Sequence, residues 1–394
     1  MSYLSNAAVN RLNIHIGLYM LAWNLAGNFF LVFLVSRGFS TITAFLALAF
    51  MMALRFAMRP VILLVAPCIG LNRTLLLGNF FYMLQYLFLM AVDGINAKFF
   101  AYCVVFGLAD IFYWCAYHSM FAQVGDERHR GKQVGVKQAV TMLSAIFAPL
   151  AGGWLLQHAG PRAAFGAAAV IQLLASLPLL RLPQLPVARV APQGAYSAAR
   201  NGVMLFLTDG WLTVGLTLAW SILLFASTKS NFATFGGALA VAGLASALGA
   251  LVLGHFLDSG RTQTIVVLNC FLLILDLAIR ASVNRTVGVA FAIMAVGPLL
   301  DIFYSPTLLT AFYNIAAKTP CPLRFQCIAE GAWDIGCMMG ALAAAGLLFM
   351  GAAPGWTIVP AMFGILGQAV ILRKYYAAHR LGLVADIGET TVIR

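Results

Sequence analysis

Apolar runs about as long as a lipid bilayer is thick recur along the whole chain. They fall at 13–36, 41–69, 74–94, 98–124, 134–157 and 162–182, and again at 201–227, 231–257, 262–283, 286–316, 325–351 and 356–377. A span needs about 20 apolar residues to cross about 30 Å of hydrocarbon. An open strand leaves its backbone polar groups unpaired in lipid, so each run is predicted to be a helix. The fold class that follows is an all-α membrane protein of twelve transmembrane helices. Composition agrees: 62% of the 394 residues are hydrophobic and 9% charged, against about 25% charged in a soluble domain.

The charge is +12, but no basic run with interleaved aromatics accompanies it, so nucleic acid is not an expected partner. The Lys and Arg residues instead sort by side. Fifteen flank the ends on the side of the N-terminus. Six flank the other: Arg37, Lys98, Arg162, Lys229, Arg285 and, close to it, Arg280. That bias places both termini in the cytoplasm of a multi-pass protein of the cytoplasmic (inner) membrane, working as a monomer in the lipid bilayer. The N-terminus has no small-residue cleavage site after a short apolar core, so the first run is expected to be a retained span. The seven cysteines form no CxxC pair, and neither a zinc site nor a disulfide framework is indicated.

The long polar break, LPQLPVARVAPQGAYSAARNG, carries Pro183, Pro186 and Pro192. It divides the chain into a six-helix bundle over 1–182, a cytoplasmic linker over 183–200 and a second six-helix bundle with a short tail over 201–394. The halves repeat. The fourth helix carries Asp110-Ile-Phe-Tyr113 and the tenth Asp301-Ile-Phe-Tyr304. Arg73-Thr74 opens the third helix and Arg261-Thr262 the ninth. Leu21-Ala22-Trp23 in the first answers to Leu218-Ala219-Trp220 in the seventh. Three matches between helix n and helix n+6, in the same order, point to parallel repeats, as in one class of secondary transporters.

The fifth helix carries Gly135, Ser144, Ala148-Pro149 and Gly152-Gly153 after Arg130-Gly131. In this the chain resembles the major facilitator superfamily (MFS), whose antiporter motif is G-x8-G-x3-G-P-x2-G-G. Ser144 and Ala148 stand where the motif has glycine, and all are small residues that let helices approach closely. The family's loop motif G-x3-D-R-x-G-R is degenerate before Arg73, where Gly70 takes the aspartate position. It is better kept at Gly254 to Arg261, with Asp258. The resemblance implies alternating access about a central cavity lined by the first, fourth, seventh and tenth helices. It also implies gating roles for Arg73, Asp258 and Arg261.

Ionisable groups at membrane depth are costly and therefore functional candidates. Arg55 and Arg59 share a face of the second helix. Arg55 either binds a carboxylate or phosphate or pairs with an acid of a neighbouring helix. Arg59, before Pro60, is read as gating or snorkelling. Asp110, Tyr113, Trp114, Tyr117 and His118 form one stripe of the fourth helix, expected to line water. Asp301 and Tyr304 match it on the tenth. Asn24 and Asn28 either join this substrate site or make interhelical hydrogen bonds. Lys137 either binds substrate or reaches for the cytoplasm. Glu330 and Asp334, on one face of the eleventh helix, are proton-carrier candidates, the alternative being a salt bridge to Arg324 or another basic loop residue. For Asp276 and Arg280 a local ion pair is expected. Asp209 and His15 lie near cytoplasmic helix ends, with a direct role less expected.

The expected function is a secondary active transporter moving a small organic solute, coupled to protons, with export by antiport ahead of import of an organic anion. No Walker motif is present, and no cofactor, metal site or catalytic residue is expected. A membrane-embedded enzyme built on Asp110 and Asp301 lacks a Gly-x-Gly-Asp signature, and no HExxH or GxSxG occurs. Fifteen Met and seven Cys form no repeated ligand pattern, so metal transport is a remote alternative.

Overall fold

The computed structural model of the protein describes residues 6–125, 130–196, 200–257, 262–282 and 286–380. It contains twelve helices: α1 (Ala7–Ser36), α2 (Thr41–Met58, continued by Val61–Ile69), α3 (Leu71–Met90), α4 (Ala97–Val124), α5 (Arg130–Trp154) and α6 (Gly160–Leu174). The others are α7 (Arg200–Thr213 and Trp220–Ser227), α8 (Phe232–Leu257), α9 (Thr262–Ala281), α10 (Val287–Leu300 and Tyr304–Ala317), α11 (Pro322–Phe349) and α12 (Ala361–Arg380). Among the described residues ten stretches are long and apolar enough to cross a membrane. Ala139–Leu179, which holds most of α5 and all of α6, is one of them, and α3, with Asn72, Arg73, Asn79 and Gln85, is not among them.

Side chains start several helices by accepting from backbone amides that have no partner within the helix. Asn6 accepts from Val9 N at 3.1 Å, Ser40 from Thr43 N at 3.1 Å and Asn96 from Lys98 N at 3.0 Å. Four helices are interrupted where the apolar pattern predicts continuous ones. In α2 the break falls at Pro60, whose ring nitrogen has no proton to donate. Residues 27–29 of α1 form a 3-10 turn, and 214–219 of α7 a π turn. In α10 the break over 301–303 lies between Pro298 and Pro306. Pro306 falls in the first turn of the second segment, where its missing N–H would have had no helical acceptor.

The first six helices meet the last six along two seams, α2 with α11 and α5 with α8. Exchanging helix n for n+6 turns one seam into the other, so the packing has the symmetry of the sequence repeat. Within the halves, α1 packs on α5 and α7 on α11. Both contacts are so close that a side chain has no room. A Cβ on Gly152 would lie 1.8 Å from the Leu25 carbonyl oxygen, and one on Gly336 2.0 Å from that of Leu207. Small residues at such crossings let backbones touch, which replaces the hydrophobic drive that lipid cannot supply. Gly336→Ala should therefore push α7 and α11 apart and lower the unfolding temperature in detergent. An unchanged melting curve would show that this crossing can give way.

Opposite the linker side, Phe29 of α1 meets Phe235 of α8 edge to face at 5.4 Å between ring centres. On the linker side, Arg324 at the start of α11 donates to the Ala188 and Arg189 carbonyls, each at 3.0 Å. Gln184 of the linker lies under Gly70, accepting from Asn72 N at 2.9 Å and donating to the Ile69 carbonyl at 2.5 Å. Gly70 has φ +80°, and any side chain there would meet Gln184. The residue that departs from the family's loop motif is thus the one the linker packs on.

Candidate functional site

The charged core of the protein is a four-membered network between the two halves. Arg55 and Arg59, one turn apart on α2, both face Asp334 of α11. Arg59 Nε donates to Asp334 Oδ2 at 2.8 Å and its Nη2 to the same oxygen at 2.5 Å. Arg55 donates to Asp334 Oδ1 and, through Nη1, pairs with Asp110 Oδ2 of α4 at 2.6 Å. Tyr82 of α3 donates to the other Asp110 oxygen at 2.8 Å. All four charged side chains are buried. The Arg55 guanidinium also lies 4.9 Å from the Trp333 ring centre, a cation–π contact that holds it from below.

One turn from Asp334, Glu330 faces His118 of α4 at 4.0 Å, and Tyr313 of α10 meets His118 Nδ1 at 2.7 Å. Cys115 on α4 and Cys327 on α11 both contact Arg59, Cys327 through its sulfur on the Arg59 carbonyl at 3.9 Å. Arg59 Nη1 donates to the Cys115 sulfur at 3.5 Å. Helices 2, 4, 10 and 11 therefore meet through polar side chains along the linker-side half of the seam. Among the described residues no three His, Cys, Asp and Glu side chains form a group that could hold a metal ion.

The structure places these residues among the alternatives that the sequence left open. Arg59 does not snorkel; it is buried against α11. Arg324 does not pair with Glu330 or Asp334, because it is engaged by linker carbonyls. The α4 stripe is packed rather than bathed in water: Tyr113 and Tyr117 are fully buried. Tyr113 stacks on Tyr19 at 4.4 Å, and Trp114 on His118 at 5.2 Å. Asn24 donates to Ser144 of α5 at 3.0 Å and accepts from Asn28 at 2.8 Å. Ser144, a departure from the antiporter motif, is thus the acceptor that fixes α1 to α5. Lys137 lies half-buried, its Nζ 5.1 Å from the Tyr117 ring centre. Arg73 is exposed. Asp258 and Arg261 lie outside the described residues.

The repeated Asp-Ile-Phe-Tyr motifs share partners but not backbone. In α4 the motif is continuous helix; in α10 it spans the break. Each tyrosine nevertheless reaches the first helix of its own half. Tyr113 donates to His15 Nε2 at 2.9 Å, since His15 Nδ1–H is spent on the Ala175 carbonyl at 2.7 Å. Tyr304 donates to Asp209. The expected ion pair of Asp276 and Arg280 is present at 2.8 Å. Arg280 also donates to the Leu216 carbonyl at 2.5 Å, inside the π turn of α7, and stacks on Trp220 at 5.3 Å. A π turn displaces the helix ladder and frees a carbonyl for an outside donor.

Two groups of six helices that meet along a buried ionic seam suit a membrane transporter. The sequence matches the profile of the Major Facilitator Superfamily over residues 12–320, and the chain belongs to that superfamily. No curated protein matches by sequence. Among solved structures it is similar to the Escherichia coli fucose:proton symporter FucP, with 14% identity, 95% of this chain and 99% of that one covered, and a TM-score of 0.63. It is similar to the human organic anion transporter MFSD10 (TETRAN), at 14%, 94% and 98% covered, TM-score 0.62. The nucleoside transporter NupG follows at 15%, 94% and 99% covered, TM-score 0.61. At these identities the likeness is one of fold.

Proposed function

We propose that the protein is a proton-coupled secondary transporter of a small organic solute, exporting it by antiport across the cytoplasmic membrane with both termini inside. It works as a monomer whose halves, 1–182 and 201–394, rock about the linker. The observation that carries this reading is the Arg55–Asp110–Asp334–Arg59 network. It crosses the seam that must part for the linker side to open, and separating its charges at membrane depth costs several kcal/mol unless something replaces the lost partner. A proton on a carboxyl and a polar group of the substrate are the two replacements available. Glu330, one turn from Asp334, takes the proton; Asp334 and the arginines form the gate, with Arg73, Asp258 and Arg261 guarding the loops. Asn24, Asn28, Asp110, Tyr113, Trp114, Tyr117, His118, Asp301 and Tyr304 line the substrate path as it opens.

Antiport is favoured because the α5 motif keeps its close packing against α1. Import of an organic anion has its own support in Lys137: no carboxylate among the described residues pairs with it, so it can receive an anionic group beside Tyr117.

The test uses purified protein in liposomes that hold a pH-sensitive dye. Organic anions, cations, sugars and nucleosides are added outside, after a thermal-shift screen has shown which of them bind. Antiport raises the luminal pH as substrate enters; symport lowers it. A compound that binds and crosses with no pH change removes proton coupling.

A further inference from the structure

Asp209 of α7 has partners unlike those of the acids bound to arginine. Asp110, Asp334 and Asp276 each face a guanidinium. An arginine only donates, so such a carboxyl cannot take a proton without losing its pair. Asp209 has two neutral partners: Tyr304 of α10 donates to Oδ1, and Trp333 Nε1 of α11 donates to Oδ2 at 2.9 Å. Among the described residues no basic side chain pairs with it.

Those two partners suit a carboxyl that gains and loses a proton. The indole N–H only donates, and holds Oδ2 in both states. The tyrosine hydroxyl both donates and accepts. When Asp209 is ionised, Tyr304 donates to Oδ1. When a hydronium ion delivers a proton to Oδ1, leaving water, the new O–H donates to the Tyr304 oxygen. Both hydrogen bonds of Asp209 are kept in either state, the Tyr304 O–H turning away from Oδ1 in the protonated one.

The surroundings connect this carboxyl to the moving parts. On α10, Tyr304 opens the second segment, with Asp301 three residues earlier at the break. On α11, Trp333 lies between Asp209 and the Arg55 guanidinium. On α12, Gly364 and Gly367 pack on Thr208, while Tyr376 is bonded to the Thr307 carbonyl at 2.9 Å. In the first half the corresponding position beneath Tyr113 is filled by His15.

We propose that Asp209 binds an exchangeable proton, additional to any on the α11 acids, and that through Tyr304 and Trp333 this proton sets how the inner segment of α10 is held. The proposal rests on the reading of the protein as proton-coupled. Its test reads protons directly and needs no substrate. Infrared difference spectra of the protein in lipid, recorded across a pH titration, report the C=O stretch of each carboxyl that becomes protonated. Asp209→Asn mimics the protonated form, accepting from Trp333 and donating to Tyr304, and should remove one titrating band. Glu330→Gln should leave that band in place. Tyr304→Phe, which keeps the carboxyl but removes its two-way partner, should shift the band's midpoint and frequency. If Asp209→Asn retains every wild-type band, or Tyr304→Phe leaves all of them unmoved, Asp209 is structural and the proposal is wrong. If the wild type shows no titrating carboxyl band at all, the proton-coupled reading fails with it.

Discussion

Asp334→Asn loses about 3–5 kcal/mol of stability, the cost of breaking a buried charge pair by removing one partner. Among the described residues Asp334 is the carboxylate shared by Arg55 and Arg59, and it is fully buried. Without its charge, two guanidinium groups a turn apart on α2 are left with Asp110 as the remaining carboxylate of the four-membered network. Salt should not rescue the variant, because solvent ions screen a buried pair poorly. A second change at Arg59 should. In Arg59→Met with Asp334→Asn the network is neutral again, Arg55 keeps Asp110 at 2.6 Å, and much of the lost stability returns. The two changes are then strongly non-additive, as residues of one network are. Thermal unfolding in detergent measures all three variants. If Asp334→Asn melts with the wild type, or the double variant is no better than the single one, the charges do not balance each other as described.

Much of the architecture was legible in the sequence because lipid imposes strict rules. Apolar runs of bilayer length can only be helices, which placed all twelve. The order of the short repeats implied parallel halves, and the seams α2–α11 and α5–α8 have that symmetry. What the pattern could not supply was partner choice across the seam. Arg55, Arg59, Asp110, Glu330 and Asp334 were each singled out by their cost in lipid. Nothing in their spacing said that Asp334 would be shared by both arginines while Arg324 turned to the linker. Asn24 was ambiguous for the same reason: its hydrogen bond to Ser144 joins helices 120 residues apart. The α10 break had a visible signal in Pro298 and Pro306, which the apolar run masked. Asp209 lies near a helix end, where a direct role is less expected from sequence; the indole and phenol that cover it come from α11 and α10.

A disulfide between Cys115 and Cys327 stops transport entirely. The two thiols, one on α4 and one on α11, both contact Arg59. Both are buried, so a small apolar oxidant such as iodine is the reagent of choice. It takes two electrons from the pair, releasing two protons and two iodide ions as the S–S bond forms. The bond would join the halves at the level of Arg59, whose carbonyl faces the Cys327 sulfur at 3.9 Å. Rocking of the halves must part α4 from α11 on this side, so a covalent link there leaves the protein shut toward the linker. Mass spectrometry confirms the bond, and hydrogen exchange in the linker-side part of α11 should slow because the opened state is no longer visited. The link also closes a long loop of chain and should raise thermal stability by about 5 kcal/mol on a chain-entropy estimate. A reducing agent should restore exchange and transport together, and Cys115→Ser or Cys327→Ser should make the protein indifferent to the oxidant. The decisive result is a protein shown to carry the disulfide that still moves solute at the wild-type rate. In that case α4 and α11 stay together throughout the cycle, and the ionic seam between them is a permanent joint rather than a gate.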